Sequence, residues 1–258
     1  MLDFIPLSVI PTFLLIFART LAFFMTVPLF SYRTIPTLFK IGFSFFLSIV
    51  IFTSMEPSVF ALDHHYILLL LKEVTVGLAI GLIAYIILSA VQIAGGFIDF
   101  QMGFAIANVV DPQTGAQSPI IGQFFYTFAL LFLLSVNGHY LLIDGMYNSY
   151  QFIALDGFLS FDGTFGSFIV DMFNQMFIIA FQMAIPIVGC LFLVDVALGL
   201  IARTVPQVNV FVVGLPLKIL VSFLAIFVFL SLYMMLAKFI FETMFTTMRD
   251  LMVILGGS

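Results

Sequence analysis

Six apolar runs, at about 8–31, 41–55, 67–98, 120–143, 168–202 and 207–241, constrain what this chain can fold into more than any other feature. Where lipid surrounds such a run, the backbone finds no outside partner for its N–H and C=O groups and closes its hydrogen bonds within a helix. The expected fold is an all-α membrane protein with about six long hydrophobic helical segments, some of them broken or hairpin-like. At about 20 residues per spanning helix, the 258 residues leave no room for a separate catalytic domain. The hydrophobic fraction is 63% and the charged fraction 8%. Soluble domains run at roughly 45–50% and about 25%, so disorder and an ordinary water-soluble surface are both excluded.

The runs are not equally good spans. The second has only 15 residues between Lys40 and Glu56, and the fourth runs into Asn137-Gly138-His139. The last two are long enough to span with tilt or to extend beyond the bilayer. Counting basic residues places the loop with Arg33 and Lys40 in the cytoplasm, and alternation of six spans then puts Arg203 inside but Lys238 and Arg249 outside. A plain six-span serpentine is therefore weakly supported. With no Trp in the chain, Tyr32, Tyr66, Tyr126 and Tyr140 near the segment ends serve either as interfacial anchors or as packing aromatics. Gly77 and Gly81, Ala90 and Ala94, and Ala180 and Ala184 repeat a small-xxx-small spacing that lets helix backbones approach closely.

Charge is distributed unevenly. Positions 73–202 hold eight acids and no basic residue, while the flanks are net positive by three. An acidic centre argues against nucleic acid and against docking on anionic lipid. Asp144-Gly145, Asp156-Gly157 and Asp162-Gly163 read as turns, because both residue types tolerate positive φ; they lack the ligand spacing of a calcium loop. Cys190 has no partner for an intrachain disulfide and reads as a small buried hydrophobe. The start, Met1-Leu2-Asp3, is acidic where a cleavable signal is basic, so the first apolar segment is expected to be retained.

No dinucleotide fingerprint, P-loop, HExxH, paired-cysteine motif or nucleophile elbow occurs. His64 and His65 point different ways and His139 lies far along the chain, so neither a metal nor any other cofactor is expected, and enzymatic function is not. Charges within apolar runs need another account, since ionisable groups at membrane depth are costly and face protein or water. Arg19 lies inside the first run, Lys72-Glu73 open the third, Asp195 and Arg203 bracket Gly199, and Lys218 follows Pro216. Asp195 and Arg203 stand about 80° apart around a helix, so each is expected to meet a partner on another helix. Snorkelling at a span end is the alternative for Lys72 and Arg203. The stretch 101–120 is broken by Pro112, Gly115 and Pro119 and carries Asn108, Gln113, Thr114, Gln117 and Ser118 beside the single charge Asp111. An amide-lined irregular connection of this kind is tolerated where it is buried in protein or lines an aqueous cavity.

Three blocks give the chain a resemblance to the FliR family, shared between flagellar export and the virulence type III secretion apparatus. They are Arg19-Thr20 through Val27-Pro28-Leu29-Phe30 to Ile35-Pro36, then Gly103 to Pro119, then Asp195 to Phe211 continuing through Gly214-Leu215-Pro216-Leu217-Lys218. Ser31 stands where many members carry Gly, a departure that touches only local turn geometry. The resemblance covers nearly the whole chain. It implies a non-enzymatic subunit of a helical export gate, assembled with FliP- and FliQ-like subunits and contacting an FlhB-like one, through which unfolded flagellar proteins leave the cytoplasm. It further implies a FliP-like part at 1–185 and a FliQ-like helical hairpin with a carboxy-terminal tail at 186–258. Asn108, Asp111, Pro112, Gln113, Thr114, Gly115, Gln117 and Pro119 then correspond to a pore-closing loop. The implied location is the bacterial cell membrane, multi-pass, in the flagellar basal body.

A conduit for many polypeptides does well to avoid fixed charge at its constriction, and an amide- and glycine-rich loop does so. On that view Arg19, Asp195, Arg203 and Lys218 index contacts within or between subunits. The competing readings are a secondary transporter for a small solute, with its site at the broken 112–119 region, and a membrane scaffold with no conduit. The transporter reading calls for an inverted repeat, and the Asp-Gly region has no counterpart in the other half.

Overall fold

The computed structural model describes residues 9–32, 34–55, 60, 63–104, 119–159, 163–205, 207 and 209–257. Among them the chain is helical, in seven elements and without a strand: α1 (Ile10–Thr26), α2 (Thr37–Ser54), α3 (His64–Met102), α4 (Ile120–Ser135), α5 (Gly138–Phe152), α6 (Thr164–Thr204) and α7 (Val210–Gly256). Four helices are long and apolar enough to cross a membrane, α2, α3, α6 and α7, and a fifth span results if α4 and α5 count as one broken helix. The all-α membrane architecture expected from the six runs is therefore present.

The element ends follow local chemistry. Pro11 lies in the first turn of α1, where its missing N–H costs nothing. Pro36 is the cap of α2. Starting there, α2 takes in Lys40 and reaches 18 residues, so the short second run becomes a candidate span. Asn137, at φ 59°, breaks the fourth run into α4 and α5 at the Asn-Gly step marked in the sequence. Gly103, at φ 87°, ends α3 in a conformation that favours glycine. Pro186 and Pro216 lie inside α6 and α7 without ending them. Past the last apolar run, which ends at about 241, α7 continues to Gly256.

Two compact units form. The first comprises Met1–Ile87, Val136–Met172 and Thr243–Ser258, and the second Leu88–Ser135 and Phe173–Glu242. α3, α6 and α7 each contribute one stretch to either unit.

In the first unit, Leu15, Ile16, Phe23 and Phe24 of α1 are fully or almost fully buried, as are Val76 and Ile80 of α3 and Leu142 and Met146 of α5. Phenylalanines join α1 to α2, with Phe24 and Phe43 edge-on at 5.0 Å and Phe13 and Phe45 edge-on at 5.4 Å between centroids. The Gly77/Gly81 stripe lies against α1. A Cβ at Gly77 would collide with the Arg19 carbonyl, and one at Gly81 with the Thr26 hydroxyl and the Phe23 carbonyl. In the second unit Ala90, Ala94, Ala180 and Ala184 are all buried. Gly95 of α3 meets the backbone of Gly122 in α4 so closely that neither side has room for a methyl group.

Candidate functional site

Six of the charged residues, Arg19, Lys72, Glu73, Asp99, Asp195 and Lys218, take part in internal contacts that fall into two groups, one in each unit. In the first unit Arg19 is completely buried on α1, and so is Glu73 on α3. The guanidinium grips both oxygens of the carboxylate, Nε to Oε2 at 2.5 Å and Nη2 to Oε1 at 2.9 Å. A two-point pairing of this kind has the geometry that makes Arg–carboxylate contacts strong and specific. The remaining donors of Arg19 reach the Ser149 hydroxyl at 3.2 Å and the Ile153 carbonyl at 3.0 Å, while the Tyr150 ring lies 4.2 Å below the guanidinium carbon. Tyr150 is itself fixed by its hydroxyl, which donates to the Ile16 carbonyl at 3.0 Å.

Lys72 completes the cluster. Its ammonium lies 3.0 Å from Glu73 Oε1 and donates to the carbonyls of Ala154, Leu155 and Gly157 at 2.7, 2.9 and 3.0 Å. Two cations thus share one carboxylate. The surplus positive charge is met by four backbone carbonyls that follow the carboxy-terminal end of α5, the end whose dipole favours a cation. Snorkelling does not describe Lys72, which is 9% exposed and turned inward.

In the second unit, Lys218 of α7 pairs with Asp195 of α6 at 2.5 Å. Gln101, one residue before the end of α3, donates to the other oxygen of Asp195 at 2.8 Å, and its carbonyl accepts from Lys218 at 3.4 Å. Asp195 does meet a partner on another helix and not Arg203. Arg203 is exposed in the last turn of α6 and has no ion pair among the described residues. Two residues before Gln101 on α3, Asp99 is 2% exposed and accepts the Ile121 N–H with both oxygens, at 3.0 and 3.3 Å. A carboxylate on the first turn of α4 satisfies donors that no helix can satisfy by itself.

Of the residues assigned to the pore-closing loop, Asn108, Asp111, Pro112, Gln113, Thr114, Gly115 and Gln117 lie outside the described residues. Pro119 lies at the root of α4, half-buried, its carbonyl accepting the Gln123 N–H at 2.8 Å. Glu73, Asp99 and Gln101 were not singled out as site residues from sequence. Lys72-Glu73 stood out as charges opening an apolar run, a usable signal, whereas nothing local marked Asp99 or Gln101. Among the described residues no group of His, Cys, Asp and Glu is placed to hold a metal ion.

The fold and these networks define a multi-helix integral membrane protein in which buried or half-buried ion pairs join helices of the same chain. The model of the bacterial export proteins, family 1, matches residues 10–244, and the chain belongs to that family. It is 56% identical over 255 residues, 98% of either chain, to the flagellar biosynthetic protein FliR of Bacillus subtilis. The flagellar biosynthetic protein FliR of Escherichia coli is 26% identical over 234 residues, 90% of this chain and 89% of the relative. Yop proteins translocation protein T of Yersinia pestis is 27% identical over 222 residues, 84% of this chain and 85% of the relative.

Proposed function

We propose that this chain is the FliR-type subunit of a flagellar type III export gate and that, with FliP- and FliQ-like subunits and an FlhB-like neighbour, it forms the channel through which unfolded flagellar proteins leave the cytoplasm. The observation that carries this reading is the near full-length similarity to a flagellar FliR at 56% identity. Residues 1–185 form the FliP-like part in this account and 186–258 the FliQ-like hairpin. The loop 108–119 contributes to pore closure, and the subunit sits in the basal body.

Helix lengths support an assembly larger than one chain in lipid. At about 1.5 Å per residue, the 47 residues of α7 extend about 70 Å, against about 30 Å of hydrocarbon. Phe227, Val228 and Met235 on that helix are 78%, 70% and 68% exposed. Exposed apolar side chains on α7 run from Val212 to Phe239, about 40 Å at ~1.5 Å per residue, which is more than one bilayer crossing covers, and neighbouring helical subunits account for the remainder. Arg19, Asp195 and Lys218 hold register within the chain, which leaves the exposed Arg203 for a neighbouring subunit.

Co-purification tests the reading. Affinity isolation of the full chain from mildly solubilised membranes is expected to bring down FliP- and FliQ-like subunits in fixed proportion. A chain that elutes alone, or as a symmetric homo-oligomer, contradicts it.

A further inference from the structure

α5 presents two unlike faces. Leu142, Met146, Ser149 and Tyr150 are buried, whereas Tyr140 and Tyr147 are exposed together with Asp144. Positions 140, 144 and 147 share one helical stripe, and exposed tyrosines are compatible with the headgroup level of a bilayer. The last turns of α7 lie beside this helix in the same unit. A Cβ at Gly145 would rest 3.5 Å from the Met248 methyl, and one at Gly256 would collide with the Phe152 carbonyl. Along this contact opens a cavity of about 360 Å³, a size ordinary for small-ligand sites.

Its lining is amphipathic. Leu141, Phe245 and Met252 supply apolar wall, and Asp144, Asn148 and Arg249 supply polar groups. Arg249 is exposed and has neither an ion pair nor a hydrogen bond among the described residues. Asp144 receives the Asn148 amide on Oδ2 at 2.9 Å, which leaves Oδ1 open. One cavity therefore offers, among the described residues, an unpaired guanidinium and a carboxylate with a free oxygen, on a helix whose same stripe carries two exposed tyrosines.

We propose that this cavity binds the headgroup of phosphatidylethanolamine, with Arg249 on the phosphate and Asp144 accepting from the primary ammonium. A guanidinium fork fits phosphate oxygens, and helix-bounded basic pockets at the membrane surface are places where lipid headgroups bind. The carboxylate decides which lipid. A choline headgroup has no N–H to donate to it, and a glycerol headgroup offers only neutral hydroxyl donors in place of a cation. The acyl chains run along Leu141, Phe245 and Met252. This site is independent of the export role and requires only that the chain lie in a membrane.

Native mass spectrometry of the purified full chain, equilibrated with equal phosphatidylethanolamine and phosphatidylglycerol, tests it. The wild type is expected to retain phosphatidylethanolamine at least threefold over phosphatidylglycerol. Arg249→Gln is expected to lower that retention at least fivefold, and Asp144→Asn to shift the preference toward phosphatidylglycerol. An unchanged unfolding midpoint for both variants shows that the fold is intact. Equal retention of the two lipids by the wild type, as expected if a protein partner fills the cavity, overturns the proposal. A preference unaffected by both substitutions overturns it as well.

Discussion

Glu73 is central to the first unit's electrostatics, because among the described residues it is the carboxylate that forms ion pairs with both Arg19 and Lys72. Removing one member of a buried ion cluster leaves uncompensated charge and costs roughly 3–5 kcal/mol. Glu73→Gln is therefore expected to lower the unfolding midpoint of the detergent-solubilised chain sharply, and Arg19→Met with Glu73→Leu together to cost less than Glu73→Gln alone. Tyr233 is the opposite case. It stacks on Phe125 at 4.0 Å, and its buried hydroxyl has no hydrogen-bond partner among the described residues. Tyr233→Phe is expected to be neutral or stabilising by up to about 1 kcal/mol, read from the same midpoints. The sequence exposes Arg19, Asp195 and Lys218 because a charge within an apolar run stands out. It hides their partners, since Arg19 and Glu73 are 54 positions apart and pairing across helices leaves no local pattern. Asp99 was less visible still: an acid near the end of a long helix reads as ordinary, and only the position of α4 turns it into a cap.

At the scale of the element, the glycines separate packing from tolerance. Gly77, Gly81, Gly95 and Gly122 face backbone or side chains with no room for a methyl group, whereas Gly189 and Gly199 on α6 have nothing within 4 Å. Gly77→Val is expected to force α1 and α3 apart at a cost of about 1–3 kcal/mol and to reduce the yield of protease-resistant protein. Gly189→Ala is expected to leave that yield unchanged or raise it, since alanine in a helix interior gains about 0.5–1 kcal/mol over glycine. The small-residue spacing made these helices legible as close-packing before their neighbours were known. The neighbours were not legible, because α3 is apolar all round and no single face stands out. Element ends were readable where Pro or Asn-Gly intervened. The apolar runs stop short of the helices at Lys40 and after position 241, where a charge ends the run but is carried within a helix.

For the whole molecule, the apolar composition that first suggests six lipid spans resolves into four or five candidate spans on helices of up to 47 residues. If hydrophobicity here serves assembly as well as insertion, the isolated chain is expected to aggregate at detergent concentrations that keep the proposed complex with FliP- and FliQ-like subunits dispersed; size-exclusion profiles of the two check this. The central claim is that the chain is a channel subunit whose loop meets the passenger. The most direct measurement places a photo-crosslinking residue at Gln113 in the full chain within the intact apparatus and stalls an export substrate in transit. The account predicts a crosslink from position 113 to the unfolded substrate that vanishes when export is not engaged. Crosslinks to lipid alone, from a fully assembled complex with substrate stalled inside it, would contradict it.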